Sequence, residues 1–211
     1  KLVNSYGVSV KTVEHVLAAL AGCGINNAIV EIDGSEAPIL DGSARPFAIE
    51  FIRNGLVHSS ETLKVIRILK EVTFKSESGW AKLFPCDEPW MSFHIDFEDN
   101  IIGIQEKSVS LSNGSFVREL CDSRTFCRDS EIPILKSRGL AKGGTLRNAI
   151  VLEPKKIRNA GGLRRIDECV RHKMLDAMGD LSLAGGPILA AFSSNRGGHT
   201  LTNKLLRLAF S

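Results

Sequence analysis

The sequence predicts an α+β protein, and three observations carry that expectation. Near the start, apolar residues recur at helical spacing (Val13, Val16, Leu17, Leu20, Ala21). After about residue 60 the pattern turns to period-two alternation, clearest at Phe93, Ile95 and Phe97. Two long helical patterns then close the chain at about 166–184 and 200–210. Helices and strands are grouped rather than alternating as regular βαβ units. A composition of 43% hydrophobic and 24% charged residues, with 19 Gly and 7 Pro in 211, supports a packed core and excludes disordered, collagen-like and coiled-coil chains.

Taken in order, Thr12 is placed as the N-cap of the first helix, and Gly22 or Gly24 closes it. Ala28 to Ile32 reads as a strand, followed by turn-rich Gly34 to Pro38 and by Asp41-Gly42-Ser43. Phe47 to Ile52 is a second short helix stopped at Gly55. Beyond the polar run His58-Ser59-Ser60, strands are expected through Val65, Ile66, Ile68, Val72 and Phe74, then Trp80 to Phe84 and Met91 to Phe97. This shift sets a domain boundary near residue 60, dividing the chain into 1–60 and 61–211. Ile150 to Leu152 and Ile188 to Phe192 read as buried strands.

Charge and cysteine content narrow the function classes. The 27 basic and 24 acidic residues are scattered, and aromatics make up 6%, so no nucleic-acid partner is expected. Lys155-Lys156 and Arg164-Arg165 read as solvated loop charge, able at most to meet an anionic small molecule. No run reaches the roughly 20 apolar residues of a membrane span. The five cysteines (Cys23, Cys86, Cys121, Cys127, Cys169) are odd in number and lack a CxxC pair, which points to a reducing compartment rather than a disulfide framework. The chain starts at Lys1 without a leader-like segment.

Chemistry-bearing residues gather in three places: Thr12-Val13-Glu14-His15, the helix containing His172, and Gly197-Gly198-His199. At roughly 100° per residue from Val170, Met174, Ala177, Met178 and Leu181 fall within about 80° and form a core stripe. His172, Asp176 and Asp180 fall near 200°, 240° and 280°, a second and polar stripe. His and Asp at i and i+4 can point at one metal ion, and His15 is the evident third donor. A His₂Asp set with an open position is a catalytic type of zinc site. Spacing alone leaves blander alternatives open. The stripe can be the wet face of an amphipathic helix, Glu14 a first-turn charge favoured by the helix dipole, and His199 an ordinary loop residue. Cys169 can compete as a ligand, His58 and His94 carry no partner pattern, and Gly143-Gly144 reads as a turn.

Longer stretches point further. TVEHVLAALAGCGINNAIVEIDGSEAPILDGSARPF (Thr12 to Phe47), DECVRHKMLDAMGDLSLAGGPILAAF (Asp167 to Phe192) and GGHTLTNKLL (Gly197 to Leu206) resemble the UDP-3-O-acyl-N-acetylglucosamine deacetylase family, the zinc amidases of lipid A synthesis. SRTFCRD (Ser123 to Asp129) and SRGLAKGGTLRNAIV (Ser137 to Val151) follow in register. The resemblance implies two layered β-α-α-β domains packed together, the first incomplete here because the family's chains start earlier.

The resemblance also implies zinc ligands His15, His172 and Asp176, with Glu14 as general base and His199 as general acid. Thr125 would donate to the oxyanion and Asp180 would support His199. Lys173 would contact the anionic nucleotide-sugar and Phe126 would pack against substrate. An insert at about 127–159 would wall a passage for the acyl chain, lined by Ile132, Ile134, Leu135 and Leu140. The partner implied is the UDP-3-O-acyl-N-acetylglucosamine substrate, met by a monomer in a bacterial cytoplasm, or in a plant mitochondrion with the leader absent. The competing expectation is a truncated, non-catalytic paralogue binding zinc or nucleotide-sugar. A zinc peptidase is not favoured, because no HExxH occurs.

Overall fold

The computed structural model describes residues 1–98 and 101–211 and is mixed α+β, as the sequence predicts. The short strands β1 (Leu2–Val3) and β2 (Ser9–Val10) pair antiparallel ahead of α1 (Glu14–Gly22) and α2 (Arg45–Asn54). The strand region follows as β3 (Ile66–Arg67), β4 (Val72–Ser76), β5 (Gly79–Phe84), β6 (Trp90–Asp96) and β7 (Ile104–Ser110). Next come β8 (Phe126–Arg128), α3 (Ile132–Ser137), β9 (Ile150–Glu153) and β10 (Lys156–Ile157). The chain closes with α4 (Glu168–Leu181), β11 (Ile188–Leu189), β12 (Ala191–Asn195) and α5 (His199–Ala209).

The largest sheet has the order β4-β5-β12-β6-β7, with β12 antiparallel to β5 and parallel to β6. Alternation makes one face apolar: Ala81, Leu83, Met91, Phe93 and Ile95 are buried, while Ser92 and His94 between them are partly exposed. α4 and α5 pack on this sheet, and α1 packs on α4. Val170, Met174 and Ala177 of α4 join the core cluster with Phe93 and Phe192. α4 is therefore covered on two sides, by the sheet below and by α1 above. A smaller sheet runs β10-β9-β8 and carries residues 126–128 alongside 150–152. No described helix is long and apolar enough to cross a membrane.

Three local expectations are corrected. Ala28 to Ile32 is not a strand. Among the described residues no strand pairs with it, and Ile29 is 93% exposed, so its apolar pattern has neither a ladder nor a face to bury. Thr12 is not the cap of α1. It adopts φ +55°, its hydroxyl donates to Glu36 Oε1 at 2.5 Å, and Val13 precedes the helix instead. The apolar run Ile188 to Phe192 is divided between two sheets: β11 pairs parallel with β3, and β12 enters the large sheet.

Candidate metal centre

The centre forms where α1 crosses α4, and a missing side chain allows the crossing. A Cβ on Gly179 would lie 2.2 Å from the Glu14 carbonyl oxygen, so the two backbones meet this closely only with glycine there. The first turn of α1 is thereby pressed against the polar stripe of α4. His15 and His172 are each 3% exposed and Asp176 is 7% exposed. The wet-face reading of the stripe is overturned, because α1 covers it.

Ligand atoms of His15, His172 and Asp176 all lie within 4.8 Å of one another. His172 Nε2 is 3.4 Å and His15 Nε2 3.7 Å from Asp176 Oδ1, too far for good hydrogen bonds. Three donors thus converge without satisfying each other. The ring of His172 has its other edge engaged: Nδ1 is 2.9 Å from the Ser123 carbonyl oxygen, which can only accept. Nδ1 therefore carries the proton and Nε2 presents its lone pair toward Asp176, the tautomer that metal-binding histidines commonly show. His15 Nδ1 is buried with no hydrogen-bond partner.

The electrostatics match this donor set. Burial, followed by the neighbouring His172, pushes His15 down to about 4, so its imidazole is neutral at ordinary pH. Burial of Asp176 alone would raise its pKa, but His172, Lys173, His199 and His15 together hold it at about 2. Lys173 Nζ lies 3.5 Å from Asp176 Oδ2. The neutral His15 imidazole, His172 Nε2 and an ionised Asp176 carboxylate, buried and unsatisfied by one another, fit a divalent cation such as zinc.

Beside the three donors stands a second pair. His199, the first residue of α5, has Nδ1 2.9 and 2.8 Å from the two carboxylate oxygens of Asp180. That hydrogen bond, ahead of an opposing burial and the charges of Asp176, Asp180 and Glu14, raises the imidazole to about 9. It is protonated at neutral pH, and its Nε2–H is left for another acceptor.

The whole chain, residues 1–211, matches the family described as LpxC: UDP-3-O-acyl N-acetylglycosamine deacetylase. The chain belongs to that family. It is 46% identical over 208 residues to the UDP-3-O-acyl-N-acetylglucosamine deacetylase of Pasteurella multocida (strain Pm70), covering 98% of this chain and 68% of that protein. The protein of the same name from Histophilus somni (strain 129Pt) is 45% identical over 208 residues, with the same two coverages. That of Thioalkalivibrio sulfidiphilus (strain HL-EbGR7) is 44% identical over 202 residues, covering 95% of this chain and 66% of the relative.

In this deacetylase-family chain the remaining site candidates fall as follows. Glu14 lies next to His15 at the start of α1, within electrostatic reach of His199. Thr125 donates its N–H to Gly42 O at 2.7 Å, and its carbonyl accepts from Ile150 N at 2.8 Å. Gly42 is required there: its φ is +84°, and a Cβ would sit 2.1 Å from the Asn148 carbonyl oxygen. The Phe126 ring stands edge-on to His172, centroids 6.2 Å apart. Ile132 and Leu135 are partly buried, while Ile134 and Leu140 are exposed. Cys169 is buried in the core cluster and is no part of the convergent set.

Two contributors went unrecognised in the sequence. One is the Ser123 carbonyl, a backbone group that no residue type announces. The other is Glu168, fully buried at the start of α4. Its position four residues before His172 was a legible signal, since it extends the same polar stripe by one turn.

Proposed function

We propose that this chain hydrolyses the N-acetyl group of UDP-3-O-acyl-N-acetylglucosamine, giving acetate and UDP-3-O-acyl-glucosamine, as a zinc-dependent step of lipid A biosynthesis. The observation that carries the reading is the convergence of three buried, mutually unsatisfied donors beside the hydrogen-bonded His199–Asp180 pair. Family membership supplies the substrate class.

His15, His172 and Asp176 would hold the zinc. When bound, zinc lowers the pKa of water to about 7 and polarises a carbonyl oxygen. Glu14 takes the proton from the attacking water. The acetamide carbonyl develops negative charge as it becomes tetrahedral, and the Thr125 hydroxyl donates a hydrogen bond to that oxygen. The 2-amine leaves poorly as an anion, so His199 gives it a proton. Asp180 keeps that proton on the imidazole before transfer and orients the ring. Lys173 contributes positive charge toward the nucleotide-sugar, and Phe126 packs against the substrate beside His172. Residues 127–159, with Ile132, Ile134, Leu135 and Leu140, take the acyl chain. The division into units at about residue 60 and a cytoplasmic location belong to the same reading.

The test is acetate release from UDP-3-O-acyl-N-acetylglucosamine by the purified chain, with and without chelator. Turnover that a chelator stops and added zinc restores is the expected result. No turnover from folded, zinc-loaded protein overturns the reading.

A further inference from the structure

α4 carries two buried acidic side chains, Glu168 and Asp176, and only Asp176 belongs to the convergent set. Glu168, the first residue of the helix, is 0% exposed, and both of its oxygens are engaged. Oε1 accepts from the Arg124 backbone N–H at 3.0 Å and from Arg124 Nε at 2.9 Å. Oε2 accepts from Arg124 Nη2 at 3.1 Å and from the Arg164 backbone N–H at 2.6 Å. The remaining Nη2 donation goes to the Gly162 carbonyl at 2.8 Å.

What this pair restrains makes it more than a buried ion pair. Arg124 lies between Ser123, whose carbonyl accepts the His172 Nδ1–H, and Thr125, the proposed oxyanion donor. Glu168 and His172 are four residues apart and share a face of α4. The segment 123–125 is therefore laced to α4 by two rungs one helical turn apart, Glu168 to Arg124 and His172 to Ser123. If the first rung is lost, the register of the second rests on the backbone bonds of Thr125 to Gly42 and Ile150, which hold the far end of the segment and not its Arg124 side. The ring of His172 and the Ser123 carbonyl would then drift together.

We propose that Glu168 is a positioning residue of the reaction: through its fork with Arg124 it holds residues 123–125 where the Ser123 carbonyl orients the His172 ring and Thr125 is presented beside it. This rests on the deacetylase reading above. It assigns Glu168 no contact with substrate or metal. Its effect belongs on kcat and on the geometry of the metal-binding imidazole, with substrate binding little changed. Outer-shell partners of this kind change activity or metal affinity by about 10–100-fold when removed.

The test compares wild type with Glu168→Gln and Arg124→Lys, each as zinc protein for kinetics and as cobalt(II)-substituted protein for visible absorption. Glu168→Gln keeps the size and removes the charge; Arg124→Lys keeps the charge and removes the fork. The expected result is a fall in kcat of about 10–100-fold in Glu168→Gln and a smaller fall in Arg124→Lys. KM should stay within about twofold in both, and the cobalt d–d bands should shift in the folded proteins. Wild-type kcat with unshifted bands in both variants overturns the proposal. So does a loss of activity that merely tracks a loss of folded protein while the folded fraction keeps wild-type bands. Should Glu168→Gln not fold, the comparison in Arg124→Lys decides alone. A wild type that binds cobalt but does not deacetylate would instead contradict the functional reading, and the band shift would still test the rungs.

Discussion

α4 holds two buried charged clusters about two turns apart, and they are built on opposite plans. Around Glu168 every carboxylate oxygen is saturated by the Arg124 fork and by backbone N–H groups. Around Asp176 the nearest imidazole nitrogens stand 3.4 and 3.7 Å away, and His15 Nδ1 has no partner. Buried polar groups are costly unless satisfied, so the first cluster is complete in itself and the second is open to a bound group that would complete it. The lesson is that burial alone does not separate a clamp from a site; saturation does.

The sharpest way to break the comparison is to remove a donor from the open cluster. Asp176→Ala is expected to abolish turnover and to leave the protein without stoichiometric zinc by elemental analysis; retained zinc and activity would sink the assignment. Next in size are Glu14→Gln and His199→Ala, each expected to lower kcat about 10²–10⁴-fold. Because neither side chain belongs to the convergent set, both variants should keep wild-type zinc content. Gly179→Ala probes the crossing that creates the open cluster. The new methyl meets the Glu14 carbonyl, and a loss of about 1–3 kcal/mol is expected, read as a lowered Tm. An unchanged Tm would mean that the helices can separate without cost.

The smallest effect concerns proton supply. With His199 held at about 9 by Asp180, activity that needs its proton should persist at neutral pH and fall as pH rises through about 9. Asp180→Asn removes the largest cause of that elevation, so the alkaline limb of the rate profile should move down toward the ordinary imidazole value of about 6.5. The effect below pH 6 should be slight, since the ring is protonated there in either protein. An alkaline limb that stays in place would show that another group governs it.

How much of this was legible in the sequence depends on whether a neighbour decides the outcome. Helical spacing alone separated the core stripe of α4 from the stripe of His172, Asp176 and Asp180, because both follow from the period of the helix. Whether the second stripe is wet or covered depends on α1 docking through Gly179, which no periodicity encodes. Ala28 to Ile32 failed for the related reason that a strand exists only with a partner, and apolar alternation cannot say whether one is present. Thr12 looked like a cap by residue type, yet Glu36, distant in sequence, takes its hydroxyl. Glu168 drew no reading from its sequence position, and only the fork of Arg124, distant in sequence, makes it a buried clamp. Thr125 and Phe126 came from resemblance and not from spacing, since their place depends on Gly42, Ile150 and His172.

The most direct measurement is X-ray absorption at the zinc edge of the metal-loaded protein. The account predicts a shell of nitrogen and oxygen donors at about 2.0–2.2 Å, with the multiple-scattering signature of two imidazoles and no sulfur. A sulfur shell near ~2.3 Å, or a shell lacking imidazole, would contradict the claim that His15, His172 and Asp176 hold the metal.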